Sequence, residues 1–205
     1  MTLNEAVKAG NISAVRKQIE RGADVNARDW NREPPLHAAC RLGHKEIAAL
    51  LLDSGAEINQ VDEIGSSPLR AAARQGHPEL INLLLDRGAE IDIRTENGST
   101  PLHAAAWMGH AAAAAALLDR GADIDARCRD GALPLQLAVR GDRKDAAALL
   151  IERGAGLQAR GLNDTTPLQL AEKEGSPGMI KLLKEAAAAN RPERKSFFKR
   201  LLSPD

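Results

Sequence analysis

Apolar residues in this chain come in short helical bursts separated by fixed punctuation. The stretch from Thr100 shows the unit most clearly. Thr100-Pro101-Leu102-His103 predicts a helix start, with Thr100 able to accept a backbone N–H as N-cap and Pro101 at a position where no donor is needed. Ala104 and Ala105 allow close approach of a neighbouring helix, and Gly109 is suited to the left-handed conformation that ends one. A second helix is predicted over Ala111 to Asp119, stopping at Gly121. Ala122-Asp123-Ile124-Asp125-Ala126 then leads to a β-turn and the next unit.

The unit recurs. Pro35, Pro68, Pro101, Pro134 and Pro167 lie 33 residues apart, each followed by leucine, and one further step back lands on Leu3. Gly22, Gly55, Gly88, Gly121 and Gly154 keep the same spacing, each followed by alanine. A module of this size cannot bury its own apolar faces, so stacked neighbours must bury them together. The ends should then be polar. Lys17 and Gln18 stand where inner modules carry Leu50-Leu51 and Leu83-Leu84, and Lys184 stands where they carry Leu52, Leu85, Leu118 and Ile151. Six modules are predicted, starting near residues 1, 29, 62, 95, 128 and 161 and ending near 185.

The pattern resembles the ankyrin-repeat family. The residues that carry the likeness are Pro35-Leu36-His37-Ala38-Ala39 with Gly43-His44, Thr100 to Ala105 with Gly109-His110, and segments such as Gly22-Ala23-Asp24-Val25-Asn26. The resemblance implies an all-α solenoid of helix–turn–helix units with β-turn fingers, and binding of another protein on its concave face. It also implies structural histidines that bond backbone or a capping threonine. It names no partner.

Several positions break the pattern. Pro34 and Leu133 replace the capping threonine. Arg32 and Asp164 stand where Gly65, Gly98 and Gly131 serve the turn, and Gly141 comes one residue early, leaving Asp142 in the column of Gly76 and Gly109.

Composition narrows the function. The 28 basic and 28 acidic side chains balance, which removes the basic footprint that nucleic-acid binding requires. Two cysteines do not make a disulfide framework, and Cys40, among small residues, is expected to be a buried small hydrophobe. The N-terminus has no signal-peptide pattern and the longest apolar run, Ala111 to Leu118, is too short to span a bilayer, so a cytoplasmic protein is expected. A monomer is expected as well.

A search for chemistry finds columns, not clusters. His37 and His103 follow the Pro-Leu pair, while His44, His77 and His110 follow the glycine, and like positions lie a module apart. A zinc site needs three or four ligands around one centre. Ser66, Ser67 and Ser99 sit in turns, no phosphate-loop fingerprint occurs, and Asp53, Asp86, Asp119 and Glu152 read as helix-closing residues. No cofactor, no metal and no catalytic residue is expected.

The surface is more informative. Lys8, Arg41, Arg74, Arg140 and Lys173 share one first-helix column, which Trp107 interrupts. Arg28, Arg94, Arg127 and Arg160 share the column before the turn. Trp30 is placed at a turn tip, and Leu42, Ile64 and Leu162 at partner-facing positions. Tryptophan ringed by arginine is the composition of interface hot spots. The expected partner-binding set is Trp30, Arg41, Leu42, Ile64, Arg74, Trp107, Met108, Arg140 and Lys173, with Trp107-Met108 as anchor and the arginines steering an acidic protein. The tail, residues 186–205, contains an amphipathic segment with Phe197, Phe198, Leu201 and Leu202 opposite Lys195, Lys199 and Arg200. It is read as a cap on the last module, a partner-binding helix or a basic membrane-surface contact. The function expected is a non-enzymatic adaptor, inhibitor or regulatory subunit, with an enzyme's accessory subunit or a peripheral membrane protein as the other readings.

Overall fold

The computed structural model describes residues 1–174 and 176–189. Its helices come in pairs: α1 (Leu3–Lys8) with α2 (Ile12–Glu20), α3 (Pro35–Leu42) with α4 (Lys45–Asp53), α5 (Pro68–Gln75) with α6 (Pro78–Asp86), α7 (Pro101–Met108) with α8 (Ala111–Asp119), α9 (Pro134–Arg140) with α10 (Lys144–Glu152), and α11 (Pro167–Glu174) with α12 (Pro177–Ala189). First helices pack against first helices of the neighbouring modules, and second helices form a parallel row behind them. No strand occurs among the described residues, and no helix there is long and apolar enough to cross a membrane. The last helix continues to Ala189, and the predicted amphipathic segment lies outside the described residues.

The core is a row of leucines and alanines. Leu36, Leu69, Leu102 and Leu135 are buried, as are Leu51, Leu84, Leu117 and Leu150 behind them. Each buried leucine contributes roughly 1.5–3 kcal/mol. The alanines let the helices approach closely, which explains a core with almost no aromatics. Cys40 is fully buried, and burial pushes its thiol pKa far up, so it is an inert hydrophobe as expected.

Between modules the described residues make five β-turn fingers. Asp29, Asp62, Thr95, Cys128 and Gly161 each donate their N–H to the carbonyl four residues on. Neighbouring fingers are clipped together by arginine. Arg94 donates Nη1 to the carbonyls of Gly98 and Arg127, and Arg127 does the same to Gly131 and Arg160. Arg28 and Arg160 reach the carbonyls of Arg32 and Asp164. Arg94 and Arg127 therefore join fingers, while Arg28 and Arg160 brace their own, and Arg160 also pairs with the Asp164 carboxylate at 3.2 Å. Asn26, Asn59 and Asp92 accept the N–H of Glu57, Glu90 and Asp123, stitching each loop to the next. On the second-helix row Arg87, Arg120 and Arg153 pair with Asp53, Asp86 and Asp119 of the preceding module. These pairs are well exposed, so each contributes little.

The histidine and glycine columns explain each other. The rings of His44, His77 and His110 lie over glycine of the preceding module, where a Cβ on Gly10, Gly43 or Gly76 would come within 3.1, 2.9 or 2.7 Å of an imidazole atom. His103 bonds Thr100 through Nδ1 and the Ala132 carbonyl through Nε2 at 3.1 Å. The Thr100 hydroxyl thus bonds the His103 ring at the start of α7. Ser67 does cap its helix, accepting from Arg70 N–H, and Thr2 does so in a reciprocal capping box with Glu5.

The pattern breaks have structural consequences. Neither Pro34 nor Leu133 caps its helix by a side-chain hydrogen bond. Arg32, Asp142 and Asp164 adopt φ of 58°, 51° and 56°, as glycine would in those columns. Arg32→Gly is expected to stabilise the fold by about 0.5–1 kcal/mol, because an arginine gains nothing in a left-handed turn that strains its Cβ. Urea denaturation would register this as a higher midpoint at unchanged slope. Leu162 requires a correction. It was assigned to the partner-facing surface, yet it is buried. A 3-10 turn over Leu162–Asp164, with Asn163 also left-handed, rotates it into the core.

Candidate binding groove

First helices and fingers form the walls of a groove, and two of its recesses are built from different chemistry. The first, about 350 Å³, lies between α3, α5 and their fingers and includes Glu33, His37, Arg41, Asp62, Ile64 and Arg74. The second, about 180 Å³, lies one module along and includes Arg70, Arg74, Asn97, Trp107, Met108 and Leu137. Arg74 borders both.

In the first recess Pro34 sets the chemistry. Without a threonine hydroxyl there, His37 Nδ1 pairs instead with Glu33 at 3.0 Å. Glu33 is buried and accepts from Arg41 through both oxygens, at 2.7 and 3.0 Å. Lys8 reaches in from the first module, 2.5 Å from Asp29 and 3.4 Å from Glu33. His37 Nε2 lies 3.2 Å from Asp62, although not in hydrogen-bonding alignment. Burial alone would raise the Glu33 carboxyl pKa, but the bonds from Arg41 and His37 overcome this and hold it at about 2. Arg41 is pushed up in turn, chiefly by its bond to Glu33. The carboxylate is therefore more acidic in the folded chain than in the unfolded one. Its contribution to stability is complete above pH 4.5 and is lost as pH falls from there toward 2. Thermal melts between pH 6 and 2.5 should show that loss, and Glu33→Gln should begin less stable and flatten the profile.

In the second recess the cations lack such partners. Among the described residues, neither Arg70 nor Arg74 has a carboxylate within ion-pair distance, in contrast to Lys8 and Arg41. Trp107 is 42% exposed at the end of α7, and Met108 beside it is half-buried. The irregular fifth module holds that end in place. Arg143 stands in the His110 column, lies over Gly109, and donates Nε to the Trp107 carbonyl at 3.2 Å.

The sequence-predicted residues divide accordingly. Arg41, Ile64 and Arg74 border the first recess, and Arg74, Trp107 and Met108 come together at the second. Ile64 is 62% exposed. Leu42, Arg140 and Lys173 are exposed on the first-helix row but border neither recess. Trp30, 88% exposed, stands apart at the N-terminal end, beside a separate hollow of about 530 Å³ that Lys8 and Arg28 also line. Sequence reasoning missed Glu33 and Arg70. The signal for Arg70 was present, since it occupies the column of His37 and His103.

No group of three His, Cys, Asp or Glu among the described residues could hold a metal ion. His103 has both ring nitrogens committed, and burial lowers its pKa, so the ring is neutral and knits the fold.

Protein phosphatase 1 regulatory subunit 27 of Mus musculus is 43% identical over 49 residues, which is 24% of this chain and 32% of the relative. The protein of the same name from Homo sapiens matches at 43% over the same length and the same shares. The chain thus spans about a third of the length of these relatives. The family profile described as ankyrin repeats matches three times, over residues 3–95, 50–128 and 89–161. With more than half its length matched in this way, the chain belongs to the ankyrin-repeat family.

Proposed function

We propose that this chain is a non-enzymatic binding module that holds another protein along the groove and acts as an adaptor, inhibitor or regulatory subunit. The observation that carries this reading is Trp107, left 42% exposed beside Met108 in a recess whose arginines have no internal counter-ion among the described residues. Large aromatics exposed in this way are costly without a use, and they are enriched where interfaces concentrate their energy. Ankyrin repeats as a family bind proteins, and relatives named as regulatory subunits fit a regulatory role for a chain that shares part of their length.

Affinity purification of the full chain at low and raised salt tests the reading. A stoichiometric protein partner should be recovered and should weaken as salt rises, because rim arginines contribute screened attraction. Recovery of no partner with wild type, or of the same partner at equal yield with Trp107→Ala, would overturn it.

A further inference from the structure

The position of Arg70 is the least explained feature of the groove. In the two modules that follow, its column holds side chains that join one module to the next. His103 uses both ring nitrogens in this way. Gln136, fully buried, accepts from the N–H groups of Leu133 and Leu162 and donates to the Thr165 carbonyl. Arg70 makes a single long contact, Nη1 to Ser66 Oγ at 3.3 Å, and its Nε is buried with no hydrogen-bond partner. Burial and then Arg74 depress its pKa, with Asp62 opposing. A guanidinium stays charged regardless, so the depression measures how poorly the site suits an uncompensated cation. Local rules of this kind are broken most often at functional sites.

We infer that the recess formed by Arg70, Arg74, Trp107 and Met108 receives a carboxylate side chain from an acidic segment of the partner protein, with an adjacent apolar residue of that segment lying on Trp107 and Met108. The inference rests on the proposed binding role of the groove. Charge complementarity carries it: the recess holds two cations, its other polar lining residues, Asn97, Ser99 and His103, are uncharged, and Leu137 extends its apolar floor. A uniformly anionic strand is disfavoured, because Glu33, Asp62 and Glu63 border the adjoining recess and would repel it. A protein segment can place its acid in one recess and neutral or basic residues in the other.

The test begins with a random dodecapeptide library displayed on phage and selected against the full chain. The best peptide, labelled with fluorescein, is titrated by anisotropy against wild type, Arg70→His, Arg74→Gln and Trp107→Ala. The selected sequences should be enriched in Asp or Glu next to an apolar residue. Converting that acid to its amide, or making Arg70→His, should weaken binding about tenfold or more. Arg70→His should melt at the wild-type temperature or above, since the column's own residue is restored. Three results overturn the inference: no acid enrichment, an amide peptide that binds equally, or Arg70→His that binds equally. If Arg70→His binds equally while Trp107→Ala does not bind, the binding role of the groove stands and the carboxylate assignment falls. If no peptide is enriched, both fall. A phosphoserine peptide binding tenfold tighter than its acidic parent would reassign the recess to phosphate.

Discussion

Trp107→Ala is expected to weaken binding of the partner protein by about 2–4 kcal/mol, on the order of 30- to 1000-fold in Kd, while leaving the melting temperature close to that of wild type. The two halves of this expectation come from different parts of the residue. Its side chain is 42% exposed and packs little into the core, so truncation leaves no sealed cavity. Its backbone keeps its support, because Arg143 bonds the carbonyl and Gly109 ends the helix in the left-handed conformation. Titration calorimetry with the purified partner and a thermal melt of the variant together check it. An unchanged Kd would remove Trp107 from the interface, and a large drop in melting temperature would make it a structural residue.

Gly161→Ala is expected to destabilise the chain by about 3 kcal/mol or more, one of the large effects tied to overpacking and a broken buried network. A Cβ there would stand 2.0 Å from Gln136 Oε1 and 2.7 Å from the Gly131 carbonyl oxygen. Gln136 cannot yield easily, because its amide joins Leu133, Leu162 and Thr165. The damage should concentrate at the junction of the fifth and sixth modules. Since stacked modules interact only with neighbours, hydrogen exchange should rise first in α11 and α12 and last in α5 and α6. Gly22→Ala is the control. Its φ of 82° favours glycine, but nothing lies within 4 Å, so only about 1 kcal/mol of stability should be lost, from the backbone alone. Equal losses for the two variants would show that the close approach at Gly161 is unimportant.

The stacking of modules was legible because it is written in residues with single physical roles. Proline starts a helix, left-handed glycine ends it, and their fixed spacing defines the module. Arg32 and Asp142 were legible for the same reason, since a missing glycine still leaves its backbone requirement. Other features depend on contacts between modules, which one-dimensional spacing does not reveal. The absent cap at Pro34 was visible, but its replacement was not, because Glu33 is completed by Lys8 from the module before. Leu162 was misplaced because a column assigns a position, whereas two left-handed residues after it redirect the side chain inward. Arg28, Arg94, Arg127 and Arg160 formed part of a basic ladder by sequence, yet in three dimensions their guanidinium groups serve finger carbonyls. Within the groove, Trp107 could be singled out because tryptophan breaks a column of cations. Arg70 required the converse comparison, an arginine in a column held by histidine or glutamine in the other Pro-Leu modules.

The claim that the groove face is the working surface can be tested directly by site-specific photo-crosslinking. A benzophenone amino acid placed at position 107, and separately at Asn82 on the second-helix row, reports which face lies against the partner. The account predicts a discrete, high-yield adduct with one protein from position 107 and none from position 82. A partner adduct from position 82 with none from position 107 would contradict it.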